Sequence, residues 1–259
     1  MILPLLLSVA LQTSAPQTPT PDIVGTTVEY TAPGGVTCEG YVAYDRAKIG
    51  KRPLVLIVHD WDGVDEYEQR RARELAELGY VGFAVDVYGK GVRPEGDARG
   101  ATAGKYAGNP TLFRERLRAG YAKAIAMKEV DRRHIGAIGY CFGGGGVLEM
   151  GRAGLPLAAL VTFHGSLSGS PDDRNIRGRT LVLHGGADPF VPPAKVKEFT
   201  DSMRRANKAY RIVTYEGRVH AFTIPEAGDD PKTGAAYDAN ADAASFEEMR
   251  TFLRARLGS

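Results

Sequence analysis

A single cysteine stands just before a run of four glycines, in Gly139-Tyr140-Cys141-Phe142-Gly143-Gly144-Gly145-Gly146. The apolar run Ile135-Gly136-Ala137-Ile138 ahead of it reads as a short buried strand. Val147-Leu148-Glu149-Met150 behind it reads as the first turns of a helix. Strand, sharp turn and helix with a thiol at the apex match the G-x-S-x-G nucleophile turn, with cysteine in the serine's place. Such a turn strains the backbone of its central residue, so the positions two before and two after must be small, and Gly139 and Gly143 occupy them. Gly144 to Gly146 let the helix begin close against the strand. The helix N-terminus directs partial positive charge at the sulfur and favours thiolate. Two plainer readings compete. Cysteine among glycines is often a small buried residue, and a glycine-rich turn before a helix can cradle a phosphate. The dinucleotide fingerprint needs G-x-G-x-x-G at the start of a βαβ unit, and the P-loop needs a Gly-Lys-Ser/Thr ending; neither is present.

The 259 residues are enough for one α/β domain with a large core. A net charge of +2, from 33 basic and 31 acidic residues, makes no electrostatic case for nucleic acid or an anionic membrane as partner. Two cysteines cannot build a disulfide framework. Residues 1–10 form an apolar run too short to span a bilayer, ending in Ser8-Val9-Ala10, a small-x-small pattern that suits signal peptidase. Residues 12–21 are rich in Thr, Pro and Ser. Residues 1–21 therefore read as a signal peptide and linker, and residues 22–259 as the folded domain. No Lys or Arg precedes the apolar run, and the alternative is an apolar N-terminus on a cytoplasmic protein. Export would place the mature protein, with no membrane attachment, in an oxidising compartment where a reactive thiol is at risk.

Along the domain, residues 23–30 and 36–44 read as an edge hairpin around Ala32-Pro33-Gly34-Gly35. Cys38 lies on its second strand as a small core residue; a disulfide to Cys141 would silence the turn. Residues 53–58 form a continuous apolar run, as in a strand buried on both faces of a parallel sheet. It ends at His59-Asp60-Trp61-Asp62-Gly63-Val64. Further strands are expected at 80–86, 157–163, 180–183 and 210–215. Helices are expected at 68–78, 112–130, 194–206 and 246–257. Residues 88–110 form a long glycine-rich segment without regular structure, of the kind that lines or covers a site. Alternating strands and helices predict a single-domain α/β fold, a mostly parallel sheet with helices on both faces. Ligand sites in such sheets lie beyond the carboxyl ends of the strands.

Cys141, Asp188 and His220 each follow a predicted strand, in the chain order nucleophile, acid, histidine. His220 can accept the thiol proton and return it to a leaving group. Asp188 can fix the imidazole tautomer and stabilise its cation. A tetrahedral oxyanion needs two backbone N–H donors, expected from Phe142 and from Trp61. Separately, each acid or histidine could be a mere loop residue; order and strand-end placement join them. His59, His134, His164 and His184 read as structural or site-lining, with no metal-ligand spacing, so no metal is expected.

These residues resemble the dienelactone hydrolase family of α/β-hydrolases, from about Val24 onward. The most specific matches are Gly139-Tyr140-Cys141-Phe142-Gly143-Gly144, His184-Gly185-Gly186-Ala187-Asp188-Pro189-Phe190-Val191-Pro192 and Val219-His220-Ala221-Phe222. The resemblance implies an α/β-hydrolase fold and a hydrolase without cofactor that opens a lactone or cleaves an ester through an acyl-cysteine. It also implies that Asp60 contacts the resting thiol and helps the thiolate form only when substrate arrives. The chain departs from the family pattern twice. The best-known members carry glutamate where Asp60 stands, one methylene longer. They also place a carboxylate-binding arginine a few residues after the histidine, where this chain has Ala221-Phe222-Thr223-Ile224-Pro225. Arg114 is the candidate substitute. Three rivals stay open: an acyl or thioester hydrolase not acting on lactones, a non-catalytic binding protein on the same fold, and a redox role for Cys38 and Cys141. The expected partner is a small-molecule ester or lactone, and the protein a monomer or small homo-oligomer.

Overall fold

The computed structural model describes residues 20–258. The signal peptide expected at residues 1–21 falls almost entirely outside them. Eight strands form one sheet: β1 (Ile23–Ala32), β2 (Val36–Asp45), β3 (Arg52–Val58), β4 (Val81–Val85), β5 (Val130–Tyr140), β6 (Ala159–Phe163), β7 (Arg179–Gly185) and β8 (Tyr210–Tyr215). Their order is β1-β2-β4-β3-β5-β6-β7-β8. β1 and β2 form an antiparallel edge hairpin, β2 joins β4 antiparallel, and β3 to β8 are parallel. The helices are α1 (Glu66–Glu77), α2 (Ala98–Ala107), α3 (Pro110–Ile125), α4 (Phe142–Arg152), α5 (Pro193–Arg205) and α6 (Ala239–Leu257). Among the described residues, no helix is long and apolar enough to cross a membrane.

The run at residues 53–58 explains the layering. Side chains of a strand alternate between faces. Leu54, Leu56 and Val58 enter one core with Phe113, Leu117, Val147 and Phe199, under α3, α4 and α5. Val55 and Ile57 enter the other with Leu75, Ala76, Met249 and Leu253, under α1 and α6. Helices thus cover both faces, as expected, and the carboxyl ends of the parallel strands share one edge.

Three elements differ from expectation. Residues 88–110 are not without regular structure, because α2 lies inside them; it buries only Tyr106 and carries two glycines, so neither an apolar stripe nor propensity announces it. The helix expected at 112–130 ends at Ile125, and β5 begins at Val130. The pairing of β5 with β3 shifts register between Pro53 and Leu54, which lets the charged residues Arg132 and Arg133 point outward within a strand. α6 begins at Ala239 rather than 246, capped by the Asp238 carboxylate on the Ala241 N–H.

β5 and α4 meet so closely that two positions admit only hydrogen. A Cβ on Gly139 would lie 2.2 Å from the Gly143 carbonyl oxygen, and one on Gly143 would lie 2.1 Å from that of Val58. Gly145 differs: its nearest neighbour is the Ser166 Cβ at 3.6 Å. Gly143→Ala should therefore lower stability by at least ~2 kcal/mol, since backbone must move. Gly145→Ala should be neutral or raise it by up to ~1 kcal/mol, because alanine is the better helix former. Urea unfolding of the two variants checks this; equal effects would show that the approach at Gly143 is not what restricts it.

Candidate active site

Cys141 sits between β5 and α4 with φ 48° and ψ −112°, a region L-residues seldom adopt. Neighbouring strands hold it there. Its N–H donates to the Phe163 carbonyl (3.0 Å), and its own carbonyl accepts from Gly144 (3.1 Å) and Ser166 (3.4 Å). The side chain is half-buried at the carboxyl edge of the sheet.

The thiol donates a hydrogen bond to the Asp60 carboxylate and accepts one from the Phe142 N–H. Aspartate therefore reaches the sulfur despite its shorter side chain. Burial pushes the thiol well above its ordinary pKa, and the Asp60 charge and hydrogen bond push it further; the Phe142 N–H opposes them. The expectation of a thiolate favoured by the helix N-terminus is corrected here: in this resting arrangement the sulfur is protonated. Asp60 is itself raised by burial, against the hydrogen bonds from Trp61 and Cys141. Its neighbour Asp62 is pushed up to about 7 by burial and by the charges of Asp60 and Asp65.

The Trp61 N–H donates to the Asp60 Oδ1 at 2.5 Å. Of the two expected oxyanion donors, Phe142 thus faces the sulfur while Trp61 is occupied by the carboxylate. A substrate oxygen can reach Trp61 only if Asp60 moves.

His220 Nδ1 lies 2.8 Å from Asp188 Oδ2, and both residues are buried. Asp188 Oδ1 accepts from the N–H groups of Phe190 (2.8 Å) and Val191 (3.1 Å), which pin the carboxylate at the end of β7. The pair leaves His220 Nε2 free of Asp188 and turned away from it. Asp60 is influenced by His220 and the thiol by Asp188, so the four groups share one electrostatic neighbourhood.

Arg114 is not brought to this site. Its guanidinium donates to Glu149 Oε2 (2.7 Å) and Asp172 Oδ2 (2.8 Å). Glu149 stands eight residues along α4 from Cys141, roughly 12 Å at 1.5 Å per residue. Arginine on a helix facing two carboxylates folds onto them, which spacing alone does not reveal.

Several residues support the site: His59 and His164 were expected as structural or site-lining, while Glu68, Tyr67 and Thr223 were not anticipated from the sequence. Glu68, fully buried, accepts from the Asp60 N–H (3.3 Å) and the Asp65 N–H (3.1 Å), while Asp65 caps α1. The signal was there: Asp65-x-x-Glu68 before an apolar-periodic run is a capping box. His59 is buried and neutral, held down to about 4 by burial. Its Nε2 accepts from the Val87 N–H (3.2 Å), so Nδ1 carries the proton to the Asp60 carbonyl. Thr223 Oγ1 joins the Tyr67 hydroxyl (2.9 Å) to His164 Nε2 (2.9 Å), and the His164 ring meets His220 edge-on, 5.2 Å between centroids.

Iodoacetamide labelling of Cys141 should rise about tenfold per pH unit through neutrality, because only thiolate reacts. Cys38, buried with its thiol pushed up to about 11, should stay silent. Asp60→Asn removes a charge that raises the Cys141 thiol, lowers its pKa and should speed labelling at pH 7. An unchanged rate would show that Asp60 does not control the sulfur.

Known proteins resemble this chain in sequence and fold. The profile of the Dienelactone hydrolase family matches residues 38–257. The crystal structure of a dienelactone hydrolase-like promiscuous phosphotriesterase from metagenomic libraries superposes with a TM-score of 0.87 at 35% identity, covering 91% of this chain and 99% of that one. A Synechocystis protein with the provisional name carboxymethylenebutenolidase is 23% identical over 235 residues, 84% of this chain and 92% of its own. The Pyrococcus horikoshii acylaminoacyl peptidase shares the fold alone, with a TM-score of 0.70 at 14% identity over 92% of this chain and 42% of its own.

Proposed function

The chain belongs to the dienelactone hydrolase family and is a hydrolase of that family, and we propose that it cleaves a lactone or carboxylic ester through an acyl-cysteine on Cys141, with no cofactor. One observation carries the reading: a strained thiol at a helix N-terminus is held by a carboxylate that also occupies an oxyanion donor, beside a His–Asp pair at 2.8 Å.

The resting carboxylate acts as a latch. A substrate carbonyl oxygen entering between the Trp61 and Phe142 N–H groups displaces Asp60 from Trp61. The sulfur, released from the same carboxylate, turns toward His220. Nε2 takes the thiol proton and the thiolate adds to the carbonyl carbon. Asp188 holds Nδ1–H and stabilises the imidazolium. The two N–H groups hold the tetrahedral oxyanion. As the intermediate collapses, the carbon–oxygen ester bond breaks and the leaving alkoxide takes the proton from Nε2. Water, deprotonated by the same nitrogen, then adds to the thioester carbon, and the acid leaves as the sulfur is restored. Charge develops only where donors already point, and the reactive thiolate exists only with substrate present.

In the same proposal, residues 1–21 are an export signal and linker, and residues 22–259 act outside the cytoplasm.

Cys141→Ala should lower kcat on an aryl ester at least about a thousandfold, and Asp188→Asn by about a hundredfold or more. Labelling by iodoacetamide at pH 7, read by peptide mass, should slow while a slowly turned-over ester holds Cys141 as its acyl-cysteine and recover as that acyl group is hydrolysed. Full activity in Cys141→Ala sinks the mechanism. No labelling and no hydrolysis under either condition supports a non-catalytic binding protein instead.

A further inference from the structure

Isolated apolar side chains on a protein surface are ordinary. Here they are not scattered. Four large apolar residues are exposed among the described residues: Ile49, Trp61, Val92 and Phe190. Ile49 lies between β2 and β3, at the far edge of the sheet from the thiol. The other three lie in the segments that follow β3, β4 and β7, at the carboxyl ends of the strands where Cys141 also stands. Trp61, 42% exposed, follows the residue that holds the sulfur. Phe190, 63% exposed, lays its ring edge-on to His220 with 5.3 Å between centroids. Val92 sits in the loop against Gly63, where a Cβ would lie 3.0 Å from the Val92 carbonyl oxygen. One exposed aromatic ring thus lies beside the histidine, and a second belongs to the residue whose N–H holds the Asp60 carboxylate.

The charges around the same edge are unequal. Asp60 stands at the thiol and Asp188 at the histidine, 2.8 Å from its Nδ1, and Asp62 adds a third carboxyl group beside Asp60. The nearby cations are committed elsewhere. Lys90 pairs with Glu29 and Glu39. Arg93 donates to the Val64 carbonyl at 2.5 Å. Arg99 donates to the Pro94 carbonyl (3.3 Å) and lies 6.0 Å from the centroid of the Trp61 ring, where the ring face engages its charge. An incoming carboxylate would meet the Asp60 and Asp188 carboxylates with no arginine fork presented to it, an arrangement that repels the wrong partner more than it attracts the right one.

From the two exposed rings and the excess of carboxylates we infer that, within the ester-hydrolase reading on which this rests, the site selects uncharged esters with an aryl or bulky apolar group and rejects esters bearing a carboxylate. Trp61 and Phe190 are the specificity-determining side chains. They contact the apolar group, while the backbone N–H groups of Trp61 and Phe142 contact the carbonyl.

The test uses the full chain and two esters of matched shape, para-carbamoylphenyl acetate and para-carboxyphenyl acetate, with ethyl acetate as a small uncharged reference. The neutral aryl ester should exceed the carboxylated one by about tenfold or more in kcat/KM, and the gap should narrow at high salt as exposed charges are screened. Phe190→Ala should raise KM for the neutral aryl ester about three- to tenfold, the size of one aromatic contact. KM for ethyl acetate should rise less than KM for the aryl ester, and Phe190→Leu should recover part of the loss. Equal rates on the two aryl esters, or preference for the carboxylated one, overturn the inference while leaving the hydrolase reading intact. If that preference disappears in Arg99→Ala, Arg99 is a carboxylate receptor and the inference is wrong in its central point. Turnover of all three esters that survives Cys141→Ala, or turnover of none, overturns the hydrolase reading and the inference with it.

Discussion

The site depends on how closely two stretches of backbone approach. Gly143 passes within contact of the Val58 and His59 carbonyl oxygens, and Gly139 within contact of the Gly143 carbonyl. That contact fixes the distance between the end of β3 and the first turn of α4. Asp60 hangs from the first and Cys141 from the second. A side chain at Gly143 would push the helix turn off the end of β3, so the thiol–carboxylate contact depends on a missing Cβ atom. The strain at Cys141, with φ 48°, is offset by the hydrogen bonds that lock its peptide groups to Phe163, Gly144 and Ser166.

Magnitudes decide the resting charge on the sulfur. A helix N-terminus contributes about 0.3–1 kcal/mol toward an anion, under one pKa unit. Burial of a thiolate beside a carboxylate acts the other way and can reach several units. The second effect wins, and the thiol is raised. In the proposed mechanism the departure of the carboxylate removes one of the influences that raise the thiol; burial remains, and it is the His220 imidazole that takes the proton. The same balance protects the sulfur. A protonated, half-buried thiol oxidises slowly, which suits a cysteine enzyme exported as proposed.

The parallel strands, the layering and the cysteine turn were legible because each rests on a local rule: apolar runs for buried strands, small residues around a strained apex, and the chain order of Cys141, Asp188 and His220. What escaped depends on tertiary contacts and on side-chain rotamers. α2 has no apolar stripe, because only Tyr106 is covered. The charged residues 132–134 hide the start of β5, which only pairing with β3 makes a strand. Arg114 reads as an available cation until α4 and the segment around Asp172 close on it. The Trp61 N–H reads as an open donor until the Asp60 side chain folds back onto it, a geometry set by one methylene.

That methylene raises the question of how aspartate reaches the sulfur, and the answer lies in its backbone. Both peptide groups of Asp60 are held. Glu68, buried in α1, accepts its N–H. His59 Nδ1 donates to its carbonyl, while His59 Nε2 accepts from Val87 at the end of the neighbouring strand. The His59 ring is packed against Tyr88 and Phe142, with centroids 4.6 and 5.8 Å away. With its main chain clamped from α1 on one side and β4 on the other, Asp60 needs no freedom except about its own side-chain bonds. Rotation about those bonds can exchange the sulfur and the Trp61 N–H for solvent without disturbing the loop. A short, pre-placed carboxylate loses less rotamer entropy on holding the thiol than a longer one would, so a fixed backbone can substitute for reach. The capping box that starts α1 thereby also sets the position of the latch, and the same two carboxylate oxygens of Glu68 serve helix and site together.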